Sequence, residues 1–253
     1  MEILHSAQEA AYRRLHKQGL SSWNASANLP DVEPGVERFL LDVLEQSWIP
    51  KTGTALELGC GTGPLSRWLS DREWQVTGID TSPTAIAMAQ EQSEGSSIHF
   101  IEGDVTQLSC IDDQSIDLSL DGQCLHCLVS ETDRIRFLQE NARVVREGGC
   151  LVLMTMARPV LGKLFRQKYG LLKNNRVYHP APDDCNPVDT VIIEGKRWFP
   201  TRYLEHWQTL LKQLKEFGFE PRLIRLSRCH PEDPLSYLSC AAIRCSGAAS
   251  ARS

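Results

Sequence analysis

Three closely spaced glycines mark the stretch of the chain best suited to bind a ligand. They stand at positions 59, 61 and 63, after an apolar run at 55–58 that contains Glu57 and before an amphipathic segment at 65–70. This order is typical of a buried strand that turns sharply into a helix. Glycine permits backbone conformations that a Cβ penalises, and it lets a ligand approach the main chain. We therefore expect a nucleotide-like ligand at this turn.

Two acidic residues stand at the ends of the next two apolar runs. Asp80 ends the run at 76–79 and lies 21 residues beyond Gly59, and Asp104 follows the run at 98–102. In a doubly wound fold, an acid at the end of the second strand lies where a ribose presents two hydroxyls, and a carboxylate can accept a hydrogen bond from both. A plain turn acid is the alternative interpretation of Asp80, and it is less favoured once Asp104 is counted.

The loop DGQCLHCL at residues 121–128 follows the fourth apolar run. Open α/β sheets bind ligands outside the carboxyl ends of their strands, so this loop should face the reacting group. His126 is our candidate for a general base, because imidazole titrates near neutral pH. A histidine that only packs there is an equally good reading. Cys124 and Cys127 form a C-x-x-C pair, but no second pair follows at zinc-ribbon spacing. We therefore expect no metal.

The glycine turn also resembles a known family motif. It reads G-x-G-x-G after Glu57, and Pro64 stands where the G-x-G-x-x-G of dinucleotide enzymes has its last glycine. The pattern resembles the first motif of class I S-adenosylmethionine (SAM) dependent methyltransferases. A helix, an R-x-G-G turn and an apolar strand at 132–155 resemble the family's L-x-P-G-G segment, with Glu147 in place of the usual proline. The resemblance spans about residues 56–156.

This resemblance implies SAM as the cofactor and S-adenosylhomocysteine as the product. It implies that Asp104 and Val105 contact the adenine, and that Asp121 contacts the methionine part or shapes its loop. The predicted cofactor-binding residues are Glu57, Gly59, Cys60, Gly61, Gly63, Asp80, Thr81, Asp104, Val105 and Asp121.

The order of apolar runs and helical patterns predicts an α/β fold. The family resemblance implies that this fold is a Rossmann-like, seven-stranded, mostly parallel sheet with helices on both faces and an antiparallel last strand. We expect a single domain over residues 1–253. Within it lie an N-terminal lid at 1–34, a SAM-binding core at 35–156, a substrate cap insertion at 157–200, and a C-terminal helix and strands at 201–245. Trp23 would either cover the ligand or pack against the body. The cap shows one β-like run, at 191–194, and a helix is predicted over 201–217.

Charge is distributed unevenly along the chain. Residues 158–228 carry 14 Lys and Arg against 7 Asp and Glu, whereas residues 1–157 carry 11 against 23. A solvated cationic face is the simpler interpretation, and attraction of an anionic substrate is the functional one. Nucleic acid is a poor partner, because no short Lys/Arg-rich run is interleaved with aromatics. The N-terminus lacks the apolar region of a signal peptide, and no run approaches the ~18 apolar residues of a membrane span. We expect a cytoplasmic protein.

Together these patterns predict an enzyme that moves the methyl group of SAM to a nucleophilic atom of a small-molecule acceptor, which would be anionic if it answers the basic segment. A protein or RNA methyltransferase, or a noncatalytic SAM-binding protein, is the alternative. An NAD-dependent oxidoreductase is less favoured. No pattern predicts the acceptor's identity or the oligomeric state.

Overall fold

The computed structural model describes residues 2–26, 29–158, 170–181, 190–227 and 236–246. Parts of the predicted cap, 159–169 and 182–189, lie outside the described residues. The strands are β1 (Thr54–Leu58), β2 (Gln75–Asp80), β3 (His99–Glu102), β4 (Ile116–Gly122), β5 (Val145–Ala157), β6 (Leu171–Lys173), β7 (Arg176–Pro180), β8 (Val191–Ile193), β9 (Lys196–Tyr203), β10 (Phe219–Ser227) and β11 (Ser236–Arg244). The helices are α1 (Glu2–Lys17), α2 (Trp23–Ser26), α3 (Pro34–Leu44), α4 (Pro64–Ser70), α5 (Pro83–Gln92), α6 (Glu131–Val144) and α7 (Trp207–Glu216), with a 3₁₀ turn at Leu125–Cys127. None of these helices is long and apolar enough to span a membrane.

Seven strands form the sheet that was predicted, in the order β10-β11-β5-β4-β1-β2-β3. Neighbouring strands from β5 to β3 run parallel, and β11 is antiparallel to both β5 and β10. Successive strands are added on one side of β1 up to β3 and on its other side from β4 onward, so the strand order reverses between β1 and β4. The carboxyl ends of β1, β2 and β4 meet there at one crevice, where open α/β sheets bind their ligands. The predicted fold class is confirmed.

Both faces of this sheet are buried, because successive side chains of a strand point to opposite faces. On β5, Leu151 and Leu153 join a core that also contains side chains of α6 and α7. Val152 and Met154 join a second core with side chains of α3 and α4. Helices therefore cover both faces, and a strand buried on both sides reads as a continuous apolar run.

A second sheet, antiparallel and in the order β6-β7-β9-β8, occupies the segment predicted as a cap. The β-like run predicted at 191–194 is confirmed as β8, but the expectation of a single run is wrong, because two-residue hairpin turns create further strands. Asn174 and Asn175 have φ of 49° and 62°, and Glu194 and Gly195 have φ of 52° and 75°. Positive φ at both central residues matches the twist of paired strands. The helix predicted over 201–217 is also wrong at its start, since β9 runs to residue 203 and α7 begins at 207.

Candidate active site

A cavity of about 540 Å³ opens at the carboxyl ends of β1, β2 and β4. Its walls come from three parts of the chain: the N-terminal segment, the strand tips with the 121–128 loop, and strand β9. Its lining includes Gln8, Tyr12, Trp23, Glu57, Gly59, Cys60, Gly61, Asp80, Gln123, Cys124, His126, Cys127, Met156, Phe199, Pro200, Thr201 and Arg202. The volume is typical of a small-molecule site, for which roughly 300–1,000 Å³ is usual.

The glycine turn between β1 and α4 forms the floor of this cavity. Gly59 and Gly61 adopt φ of +67° and +54°, where a side chain would be strained. A Cβ on Gly59 would lie 2.7 Å from the Cβ of Cys124, and a Cβ on Gly61 would lie 2.5 Å from the hydroxyl of Tyr12. The turn is therefore closely covered by the 121–128 loop and by the N-terminal helix, and larger residues would not fit.

Asp80, at the end of β2, ties the neighbouring loops together. One carboxylate oxygen accepts a hydrogen bond from the amide of Gly61 at 2.9 Å, and the other accepts from the amide of Ser82 at 2.9 Å. Its side chain is buried but lines the cavity. The carboxylate is thus held at the cavity wall by backbone amides from two loops.

Two more buried carboxyls lie at the ends of β1 and β4. Glu57 lines the cavity and accepts a hydrogen bond from the hydroxyl of Ser66, and burial raises its pKa to about 8. Asp121 accepts hydrogen bonds from the amides of Cys124 and Leu125 at 2.7 and 3.0 Å, and burial raises its pKa to about 7. Asp121 lies beneath the 121–128 loop, outside the cavity lining, so its carboxylate shapes that loop.

Other predicted cofactor residues surround the cavity without lining it. Asp104 accepts hydrogen bonds from the amide and hydroxyl of Thr106, both at 2.8 Å. Val105 is buried in the core, Thr81 is half-buried, and Gly63 begins α4. The structure therefore brings Glu57, Gly59, Cys60, Gly61, Asp80 and His126 together around one cavity, and places Gly63, Thr81, Asp104, Val105 and Asp121 outside its lining.

His126 lies in the 3₁₀ turn that follows β4. Its side chain is 2% exposed and lines the cavity. Nδ1 lies 3.3 Å from the hydroxyl of Thr155 and 3.3 Å from the amide of Met156, both on β5. Burial, with the nearby guanidiniums of Arg202 and Arg134, holds the pKa of His126 well below its usual value. The ring is therefore neutral at neutral pH.

Comparisons with known proteins agree with this geometry. A family model described as a methyltransferase domain matches residues 56–153. The malonyl-[acyl-carrier protein] O-methyltransferase of Pectobacterium atrosepticum is 28% identical over 206 residues, which cover 72% of this chain and 77% of that protein. The crystal structure of a SAM-dependent methyltransferase from Methanosarcina mazei superposes with a TM-score of 0.65 at 20% identity, over 85% of this chain and 100% of that one. The chain contains a methyltransferase domain and has the fold of class I SAM-dependent methyltransferases.

A structure with bound product shows the same fold. The 1,6-didemethyltoxoflavin-N1-methyltransferase of Burkholderia thailandensis, crystallised with S-adenosylhomocysteine, superposes with a TM-score of 0.60 at 15% identity, over 95% of this chain and 88% of that one. The matched methyltransferase domain identifies the chain as an enzyme, and this structural neighbour is crystallised with S-adenosylhomocysteine. The alternative of an NAD-dependent oxidoreductase, already less favoured by the sequence, is set aside by the match to a methyltransferase domain. The residues at the cavity fit the nucleoside, because a buried carboxylate stands at the tip of the second strand beside a close-packed glycine turn.

The N-terminal helix of the methyltransferase closes one side of the cavity. Glu9 accepts hydrogen bonds from the hydroxyls of Ser82 and Thr84, both at 2.6 Å, and from the amide of Thr84 at 3.3 Å. Tyr12, one turn further on, lies over Gly61 and packs edge-on against Trp23, with ring centroids 5.4 Å apart. Trp23 lines the cavity while remaining 51% exposed. The segment predicted as a lid is thus latched to the first turn of α5 by one carboxylate.

Strand β9 closes the opposite side with residues that sequence reasoning missed. Phe199, Pro200, Thr201 and Arg202 line the cavity. No local signal distinguishes Arg202, because it falls where a helix was predicted. Tyr12 and Glu9 could not be identified from sequence either. Both lie in a helical pattern, and the residues that they contact, Gly61 and Ser82, are distant in sequence.

Proposed function

We propose that this methyltransferase moves the methyl group of SAM to a nucleophilic atom of a small molecule that carries an anionic group. The observation that carries the proposal is the position of Arg202. Arg202 lines the same cavity as His126, and its guanidinium donates a hydrogen bond to the backbone carbonyl of Thr201 at 2.7 Å. Among the described residues, no carboxylate lies within ion-pair distance of it. A guanidinium that has no carboxylate partner among the described residues is suited to bind an anion.

The cofactor would lie with its ribose on Asp80 and its methionine part along the glycine turn and Glu57. Asp104 and Val105, outside the cavity lining at the end of β3, would border the adenine end. Asp121 would act through the loop that it shapes. This orientation directs the reacting end of the nucleoside toward the 121–128 loop and His126, because β4 lies on the other side of β1 from β2.

SAM supplies an electrophilic methyl carbon on a cationic sulfur, which a nucleophile can displace in line. The protein's contribution is mostly to hold the reactants aligned in a dry site, and alignment of this kind is worth roughly 7–11 kcal/mol. The N-terminal helix and β9 contribute two walls of the cavity and would limit the access of water to the reactants. We propose that β9 and the sheet to which it belongs act as the substrate cap, at the boundary predicted for residues 157–200 but extended to 203.

The Pectobacterium relative supports an acyl acceptor and an oxygen nucleophile, since that protein is named a malonyl-[acyl-carrier protein] O-methyltransferase. A cavity of about 540 Å³ has room for a small acyl group but not for a folded protein or RNA, so any macromolecule that carries the acyl group would lie outside it.

The proposal is tested by incubating the enzyme with SAM labelled in its methyl group and a total cell extract, followed by separation into small molecules, protein and RNA. We expect label in the small-molecule fraction, and retention of that product on an anion exchanger. Label in protein or RNA would support the alternative acceptors. Intact binding of S-adenosylhomocysteine with no label in any fraction would indicate a noncatalytic SAM-binding protein and refute the proposal.

A further inference from the structure

We infer that His126 serves the acceptor as a neutral N–H donor rather than as a base, and that His126 and Arg202 together hold a carboxylate whose own oxygen is the nucleophile. The inference rests on the proposed function and narrows it to the formation of methyl esters. It replaces the role of general base that the sequence suggests for His126.

The position of the ring proton of His126 follows from the hydrogen bond that its Nδ1 accepts. The amide of Met156 can only donate a hydrogen bond, and it points at Nδ1 of His126 from 3.3 Å. A neutral imidazole has one nitrogen with a lone pair and one that carries a proton. Nδ1 must therefore hold the lone pair and Nε2 the proton. The described residues make hydrogen bonds to Nδ1 and none to Nε2, so the nitrogen left for a ligand in the cavity is a donor.

The positive charge around the ring of His126 opposes its protonation. A base must keep the proton that it takes, which would make His126 a cation. Arg134 on α6 is buried, donates to the carbonyl of Leu125 at 2.8 Å and lies over the ring of Tyr203 at 4.6 Å. Arg202 on β9 is the other guanidinium whose charge acts on His126. From β5 the ring meets only the hydroxyl of Thr155 and the amide of Met156. A third positive charge in this buried place is strongly opposed.

The side chains that line the cavity indicate the class of acceptor. On the side of the cavity formed by β5 and β9, the described lining side chains are apolar or hydrogen-bond donors, and none is acidic: Met156, Phe199, Pro200, Thr201 and Arg202. These side chains stabilise an anion but cannot remove a proton from a neutral alcohol or amine. The acidic residues that line the cavity, Asp31, Glu33, Glu57 and Asp80, lie on the N-terminal segment and at the tips of β1 and β2. Carboxylates are ionised at neutral pH, because their pKa is about 4. The acceptor would therefore be a carboxylic acid that arrives already deprotonated.

The reaction then balances without proton transfer. One carboxylate oxygen forms a bond to the methyl carbon as the carbon–sulfur bond breaks, and that electron pair leaves with the sulfur. A negative oxygen and a positive sulfur become a neutral methyl ester and a neutral thioether. The other carboxylate oxygen stays on Arg202 and the Nε2–H of His126. No base is required at any point.

The tautomer of His126 is measurable without any acceptor. In the enzyme labelled with ¹⁵N-histidine and saturated with S-adenosylhomocysteine, long-range ¹H–¹⁵N correlation spectra give the state of both ring nitrogens, with His126→Gln used for assignment. We expect Nδ1 to resonate as an unprotonated nitrogen and Nε2 as a protonated one throughout pH 6–8. A proton on Nδ1, or an imidazolium that titrates in this range, would overturn the inference.

Turnover separates the two roles of His126. The probe is malonyl-pantetheine, with acetyl-pantetheine as the matched acceptor that lacks the carboxylate, and labelled methyl is recovered as methanol after mild alkali. His126→Gln keeps an N–H donor and should retain at least tenfold more activity than His126→Ala. Arg202→Gln should raise the KM for the malonyl probe at least tenfold. The controls are His99→Gln and Arg222→Gln, exposed on the edge strands β3 and β10, which should change neither parameter.

Two outcomes would count against the inference, and they are distinguishable from failure of methyl transfer itself. Equal loss of activity in His126→Gln and His126→Ala, with unchanged affinity for S-adenosylhomocysteine, would restore the role of base. Label that enters small molecules of the extract but resists alkali would refute ester formation while leaving the proposed function intact. Absence of label from every fraction would refute the proposed function as well.

Discussion

Replacement of Glu9 by alanine should weaken cofactor binding without any direct contact being lost. Glu9 joins α1 to Ser82 and Thr84 through three hydrogen bonds, and its side chain is only 14% exposed. The neighbouring residues of α1, Gln8 and Tyr12, line the cavity. Removal of the latch therefore favours an open position of the lid, in which one wall of the cavity is missing.

The magnitude follows from the chemistry of the latch. Hydrogen bonds to a charged group contribute about 1.5–3 kcal/mol each, but the three share one carboxylate and are not additive. Ser82 also keeps its own capping bond to the amide of Ala85 at 3.0 Å. We therefore expect a net loss of about 2–3 kcal/mol in lid closure, which corresponds to roughly 30- to 150-fold. The dissociation constant of S-adenosylhomocysteine should rise by up to that factor.

Isothermal titration calorimetry with S-adenosylhomocysteine measures this change, and Arg13→Ala is the matched control. Arg13 pairs with Glu9 at 2.6 Å, but its side chain is 66% exposed, and exposed i,i+4 pairs contribute only about 0.3–0.5 kcal/mol. Its removal should weaken binding less than about threefold. Equal affinities for the two variants would refute the latch.

The same latch predicts a loss of affinity in acid. Burial alone raises the pKa of Glu9, but hydrogen bonds from Ser82, Thr84 and Arg13 outweigh it, and the net pKa lies below the usual value. A carboxyl with a lowered pKa contributes stability that is present above its unfolded pKa and is lost as the pH falls through the folded pKa. Affinity should therefore decline below about pH 4.5, and Glu9→Gln should remove that decline. A Glu9→Gln variant with the wild-type acid profile would contradict this assignment.

Three further outcomes are expected. Because the pKa of buried Glu57 is raised to about 8, the folded protein binds more protons than the unfolded one, so the free energy of unfolding without ligand should fall as pH rises from 5 to 8; urea denaturation of Glu57→Gln should give a shallower dependence. Asp80→Ala should weaken S-adenosylhomocysteine binding by at least tenfold in calorimetry, since it removes both the predicted ribose acceptor and the partner of the Gly61 amide. Gly59→Ala should lower the melting temperature more than Gly95→Ala, because both glycines have positive φ but only Gly59 is crowded, by Cys124; equal shifts would mean that φ strain alone decides.

The parts of the fold that sequence predicts are those carried by local patterns. The strand runs of the sheet and the glycine turn are contiguous in sequence, and their patterns are strong, so β1 to β5 were predictable. The two hairpins of the second sheet were missed because their signal is a pair of turn residues, Asn174–Asn175 and Glu194–Gly195, between very short strands. Short strands take their stability from pairing with distant partners rather than from local propensity.

Some residues of the candidate site were predictable from local sequence, and others were not. Glu57 and Asp80 lie at the ends of strands, and Gly59 and Gly61 lie in the turn after β1; all four were predicted from sequence as cofactor residues, and the structure places them around one cavity. Arg202 and Glu9 contribute to the same cavity from segments that lie 122 residues after and 71 residues before Asp80 in the chain. Only tertiary packing brings them there. The hydrogen bond from Met156 to His126, which decides the role of that histidine, is equally invisible in a one-dimensional pattern.

The most direct test of the central claim is a crystal structure of the enzyme with S-adenosylhomocysteine. The account predicts the ribose hydroxyls on the carboxylate of Asp80, the amino-acid part against Gly59 and Gly61, and the sulfur facing His126 and Arg202 beneath a closed α1. A nucleoside bound away from Asp80, or a sulfur that points away from His126, would contradict it.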